Sequence, residues 1–131
     1  MAETRYRLVA TRPGRNASGV TIVKGSLVKV KAAPTYADEI ELCTAATDPI
    51  LGVVIADIAT GTTGTIQTHG TAQVLGAEAV AIGASVMPGL AGGGFSGTAA
   101  NTDVGIANTL GAAATLFEVE LGGPGNSRIR G

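Results

Sequence analysis

The only histidine of the chain, His69, lies in Gln67-Thr68-His69-Gly70. As the base of a nucleophilic triad it would need a serine and a carboxylate brought to it by the fold. Ser18, Ser26, Ser85, Ser96 and Ser127 are scattered, and none sits in the Gly-x-Ser-x-Gly turn that exposes a nucleophile. His69 therefore reads as a structural or surface residue. A metal would need further ligands, such as a ring of His69 about an oligomer axis. Gly92-Gly93-Gly94-Phe95-Ser96-Gly97 has the spacing G-x-G-x-x-G. Cradling a phosphate that way requires a strand before it and a helix after it, and neither is expected here. Asp38-Glu39-x-Glu41 reads as a solvated strand edge, and the single Cys43 as a small apolar packing residue. One cysteine makes neither an internal disulfide nor a Cys-based zinc site. A swinging-arm carrier domain needs a modifiable lysine at a hairpin tip, and no lysine follows Lys31. No enzymatic activity and no cofactor are expected.

Charge is the more informative signal. The net charge is −1, but residues 1–31 carry Arg5, Arg7, Arg12, Arg15, Lys24, Lys29 and Lys31 against Glu3 alone. Residues 32–121 carry only carboxylates, and Arg128 and Arg130 make the C-terminus basic again. Basic extremities on an acidic body suit an acidic protein partner. Nucleic acid would call for a denser cluster with interleaved aromatics, and Tyr6 is the only one near, so no nucleic-acid partner is expected. Candidate partner contacts are Arg5, Tyr6, Arg7, Arg12 and Arg15. Candidate contacts between copies are Phe95, in a glycine-rich stretch, with Arg128 and Arg130.

The elements that must position these residues are short strands. The 131 residues include 22 Ala, 20 Gly and 16 Thr, with aromatics at 3% and no Trp. A core of such small side chains buries little area per residue, which favours stability through association. No apolar run approaches the roughly 18 residues of a membrane span, so no membrane partner is expected. The start has no apolar segment of a secretory signal, and without one the Asn16-Ala17-Ser18 glycosylation pattern carries no weight. Strand signals recur at Arg5–Ala10, Val20–Val23, Leu27–Lys31, Glu39–Cys43, Ile50–Ile58, Thr65–Leu75, Ala84–Met87, Val104–Asn108 and Ala114–Leu121, punctuated by Gly and Pro. This spacing predicts an all-β fold, a small β-barrel or β-sandwich. Residues 1–18 read as an extended basic arm, 19–121 as the β-rich domain, and 122–131 as a flexible tail. Pro88–Ala100 reads as a surface loop around Phe95.

An internal repeat is also visible. Gly25-Ser26-Leu27-Val28 resembles Gly83-Ala84-Ser85-Val86, Leu51-Gly52-Val53-Val54 resembles Val104-Gly105-Ile106-Ala107, and Thr65-Ile66 resembles Thr115-Leu116. The separation would shrink from 58 to 53 to 50 residues, with two similar halves facing each other across one core.

Val20–Val28, Leu51–Gly61, Gly64–Gly70, Ala84–Pro88 and Val104–Ala107 resemble the capsid cement, or head decoration, proteins of tailed bacteriophages, over roughly residues 18–121. The resemblance implies a non-enzymatic β-rich protein on the outer surface of the assembled head. Such proteins often form trimers where subunits of the major capsid protein meet, so a homotrimer bridging and stabilising those subunits is expected. A tail, fibre or baseplate module is the alternative, with a glycan-binding domain behind it. The docking roles given to the arginines come from charge alone and not from this resemblance.

Overall fold

A computed structural model describes residues 10–97 and 104–121. Among them are ten short strands and one 3-10 turn, Leu90–Gly92. Strands β1 (Thr11–Asn16), β2 (Leu27–Val30), β3 (Glu39–Leu42), β4 (Gly52–Val54) and β5 (Thr63–Gln67) close a barrel in the order β1-β3-β2-β4-β5. Strands β6 (Gly70–Leu75), β7 (Ser85–Pro88), β8 (Gly94–Ser96), β9 (Gly105–Ala107) and β10 (Leu116–Leu121) form a second sheet in the order β6-β10-β9-β7-β8. The all-β expectation holds.

Both halves follow one wiring plan, with β1 to β5 matched in turn by β6 to β10. The main-chain bonds fix the equivalence. The bridge Ile22–Ile58 recurs as Val80–Gly111, and Cys43 N donating to Leu27 O recurs as Gly97 N donating to Ser85 O. The closing strand departs from the separation read in the sequence. Ile55 N donates to Thr65 O and Asn108 N to Glu118 O, so Thr65 matches Glu118, and the offset stays at 53 residues. Thr115 matches Thr62 instead; each hydroxyl bonds a carbonyl three residues back, Ala112 O at 2.9 Å and Ala59 O at 2.7 Å. Thr65-Ile66 and Thr115-Leu116 are therefore not equivalent, since Thr65 lies within β5 and Thr115 in the turn before β10.

Two cores result, not one. Ile22, Val28, Ile40, Val54, Ile58 and Ile66 fill the barrel. Val74, Val80, Val86, Phe117 and Val119 anchor the second cluster, into which Leu27, Cys43 and Val53 reach from the first half. The halves fill equivalent slots from opposite sides. In the first half Gly14 leaves room for Ile40, since a Cβ there would lie 3.0 Å from its Cδ1. In the second half Val74 fills the slot, and Gly94, equivalent to Ile40, gives way at 2.8 Å from Val74 Cγ1.

The halves also differ in closure. Arg15 N donates to Asp38 O at 2.7 Å and zips β1 to β3. The equivalent Leu75 N donates instead to Gly25 O, at 2.8 Å, in a turn of the first half. Among the described residues only the bridge Gly76–Gly94 then joins the β6 and β8 sides.

Several segments depart from the sequence reading. Residues 11–16, read as arm, form β1. Its inward positions are Gly14 and Asn16, both buried, so no apolar alternation marks it. Asn16 Nδ2 donates to Val20 O and Ile58 O, both at 2.7 Å, and its Oδ1 accepts from Ser18 N, so the Asn-x-Ser triplet turns about a buried asparagine. Thr65–Leu75 is broken at Gly70, whose φ is +92°. Pro88–Ala100 contains the 3-10 turn and β8, where Phe95 pairs with Met87. Val20–Val23 contributes only the bridge at Ile22. The strand signal before Ala10, and Arg5, Tyr6, Arg7, Arg128 and Arg130, lie outside the described residues.

Candidate interaction surfaces

The described arginines occupy one end of the barrel. Arg12 is exposed on β1, and the half-buried Arg15 holds its guanidinium 5.7 Å from the centroid of the Tyr36 ring, a cation–π contact. Tyr36 stands on the β2–β3 loop, 61% exposed, with Val30 at the base of that loop 52% exposed. Among the described residues neither arginine is ion-paired. By the strand register, Arg12 and Arg15 pair with Ile66 and Thr63 where Ala72 and Leu75 pair with Val119 and Leu116. The arginines thus replace the residues that face the first half inside the chain.

The other basic residues are partly spent internally. Lys29 Nζ lies 3.2 Å from Asp48 Oδ2 and 3.8 Å from Glu41 Oε2. Hydrogen bonds from Thr44 N and Ala45 N, together with Lys29, hold the Asp48 carboxyl below the usual carboxylate range. The reading of Asp38-Glu39-x-Glu41 as a solvated edge does not survive, because β3 pairs with β1 on one side and β2 on the other. Glu39 is buried and accepts Thr35 N at 2.8 Å, which braces the β2–β3 loop.

The opposite end of the molecule is apolar. Ile82 and Leu110 flank the bridge Val80–Gly111 and are 67% and 69% exposed. Their equivalents in the first half are Lys24 and Asp57, where Lys24 N donates to Asp57 Oδ1 at 2.8 Å. Glu78 accepts Ser96 N at 2.9 Å, capping the outer edge of β8. Phe95 is half-buried against Gly89, its Cζ 3.0 Å from where a Cβ would stand.

Between the halves is a cleft of about 220 Å³ lined by Lys24, Ile55, Gln67, Thr71, Ala72 and Gln73. Gln67 Nε2 donates to His69 O and Thr71 O at 2.9 Å each, fixing the crossing from β5 to β6. His69 itself is half-buried, its Nδ1 3.0 Å from Thr68 Oγ1, and no serine among the described residues joins it. The cleft offers hydrogen bonds and one ammonium, without a paired acid and base.

Cys43 packs as an apolar residue, fully buried. Burial first, then Asp48, push its thiol up to about 12 from the ordinary 9.0. In the window between those values the unfolded chain has lost a proton that the folded chain keeps. Stability therefore falls as pH rises through it. Urea melts of the native protein should lose about 2 kcal/mol between about pH 8 and pH 10.5 beyond any loss in Cys43→Ala. Equal losses in the two proteins would contradict this. A native thiol that reacts with a disulfide reagent at the rate of the unfolded chain would also contradict it.

The fold and its surfaces define a two-repeat β module with one basic and one apolar end. It is similar in structure to the head fiber gp8.5 N base of bacteriophage phi29, with a TM-score of 0.70 at 15% sequence identity, over 95% of this chain and 100% of that one. At that identity the likeness is one of fold. No protein-family profile and no curated protein sequence matches the chain.

Proposed function

We propose that the chain is a structural component of a tailed-phage virion, a decoration protein on the outer surface of the head. In this reading it acts as a homotrimer that bridges neighbouring subunits of the major capsid protein. The observation that supports it most is a likeness spanning both halves of the chain with a protein whose own name places it at a phage head. The sequence resemblance to head decoration proteins, found independently, points the same way. A shell under outward pressure gains from any clamp whose binding is lost when subunits part, and a trimer multiplies a small contact through effective concentration. Residues 1–10, with Arg5, Tyr6 and Arg7, meet capsid carboxylates, so binding weakens with salt.

Removing residues 1–18 would delete β1 and open the barrel, so the informative truncation is residues 1–9. It should melt like the full chain and lose occupancy on heads purified without the protein, with an affinity drop of at least about tenfold. Full-length protein that ignores such heads would overturn the reading. The neighbour's name favours a second reading, the base of a head-attached fibre. Imaging virions with a tagged copy separates them, since decoration covers the shell and a fibre base sits at the foot of each projection.

A further inference from the structure

We propose that copies of this chain join head to tail. The Ile82–Leu110 face of one copy meets the Arg12–Arg15–Tyr36 face of the next. This rests on the reading above only in that the protein self-associates.

The joint between the two halves is heterologous: two different faces meet. The first half contributes Gly25, Leu27, Leu42 and Cys43. The second contributes Leu75, Gly92 and Leu116, with Leu75 N donating to Gly25 O and Gly92 N to Cys43 O. A heterologous joint inside a chain of two similar halves leaves one unused copy of each face, at opposite ends. The ladder equivalences identify them. Gly83, Ser85, Ser96 and Gly97 repeat the first face at the free end of the second half. Arg15 and Thr63 repeat the second face at the free end of the barrel, and Arg12 on the same strand takes the place of the cleft-lining Ala72.

Both unused faces carry what an interface needs and a solvated end does not. One exposes Ile82 and Leu110 by about two-thirds, where the first half has a polar pair, and borders them with the small Ser85, Ser96 and Gly97. The other exposes Tyr36 and Val30. Charge is complementary as well: Glu78 borders the first, and Arg12 and Arg15, which pair with no carboxylate among the described residues, lie on the second. One difference sets the strength. Asp38 O already holds Arg15 N, at 2.7 Å, so the contact between copies lacks the main-chain bond that Leu75 N makes within the chain. Side chains carry it, and it dissociates on dilution.

Sedimentation of the full chain with two blocked variants tests this. Ile82→Lys with Leu110→Lys blocks one face, and Arg15→Ser with Tyr36→Ala blocks the other. Each should melt like the native protein and sediment as a monomer where the native chain is oligomeric, with dissociation constants raised at least about tenfold. Mixed together, they should form a one-to-one dimer and nothing larger, because one intact copy of each face remains. The proposal is overturned by a native chain that is monomeric at every concentration, by blocked variants that assemble normally, or by a mixture that stays monomeric. No phage head enters the experiment, so an assembly-competent chain that fails to bind heads would sink the decoration reading alone.

Discussion

Alanine at Gly105 is expected to unfold the second half at temperatures where the native protein is intact. A Cβ at this position falls on the carbonyl oxygen of Glu120, with its carbon at 2.9 Å and Leu121 Cα at 3.0 Å. All of these are backbone atoms of β10, which β6 holds from the other side through Glu120 and Thr71. No rotamer change relieves the overlap. The cost should therefore reach the upper end of overpacking, about 3 kcal/mol, and lower Tm by roughly 10 °C or more. Gly52 is the equivalent residue, facing the Gln67 carbonyl in the same way, and Gly52→Ala should behave alike. Gly19→Ala is the control. Its φ is +87° with nothing within 4 Å, so it should cost only about 1–2 kcal/mol of left-handed strain. Calorimetric melts that place Gly105→Ala beside Gly19→Ala would show that β9 and β10 can part freely, and the close approach of those strands would be wrong.

The same glycines explain how far the sequence could be read. Apolar-Gly-apolar at Leu51-Gly52-Val53 and Val104-Gly105-Ile106 stood out because a backbone carbonyl forbids a side chain at the same place in both halves. That signal gave the repeat, and with the turn spacing it gave the all-β class. Where the halves solve a slot differently, sequence comparison failed. Gly94 matches Ile40 and so made β8 look like loop, while β1 showed no pattern because Gly14 and Asn16 take its inward places. Charge alone singled out Arg12 and Arg15, which stand exposed and half-buried on β1. Ile82 and Leu110 were not legible, since an exposed aliphatic residue is written like a buried one. Only the equivalence with Lys24 and Asp57, visible once the ladders are aligned, marks them.

The compensating slots lead to a substitution whose sign depends on its background. In the second half the Phe117 ring lies over Gly111, with Cδ1 and Cδ2 3.2 Å from where a Cβ would stand. In the first half Ile58 takes the place of Gly111 and Gly64 that of Phe117, and a Cβ on Gly64 would stand 2.5 Å from Ile58 Cδ1. Gly111→Ile alone crowds Phe117 and Val80 and should destabilise by about 1–3 kcal/mol. Phe117→Gly alone removes the largest side chain of its cluster and should cost about 4 kcal/mol or more. Made in the Phe117→Gly protein, Gly111→Ile should instead stabilise, because the new side chain enters the space that Ile58 occupies in the other half. Phe117→Ala would not serve, since Ile58 stands where a Cβ on Gly64 would be. Recovery should be partial: Gly94 leaves a gap that Ile40 fills in the barrel. The coupling across the double-mutant cycle should be at least about 2 kcal/mol. Additive costs in urea melts would mean that the two halves share a wiring plan without sharing a core geometry. The equivalence that carries the head-to-tail joint would then lose its footing.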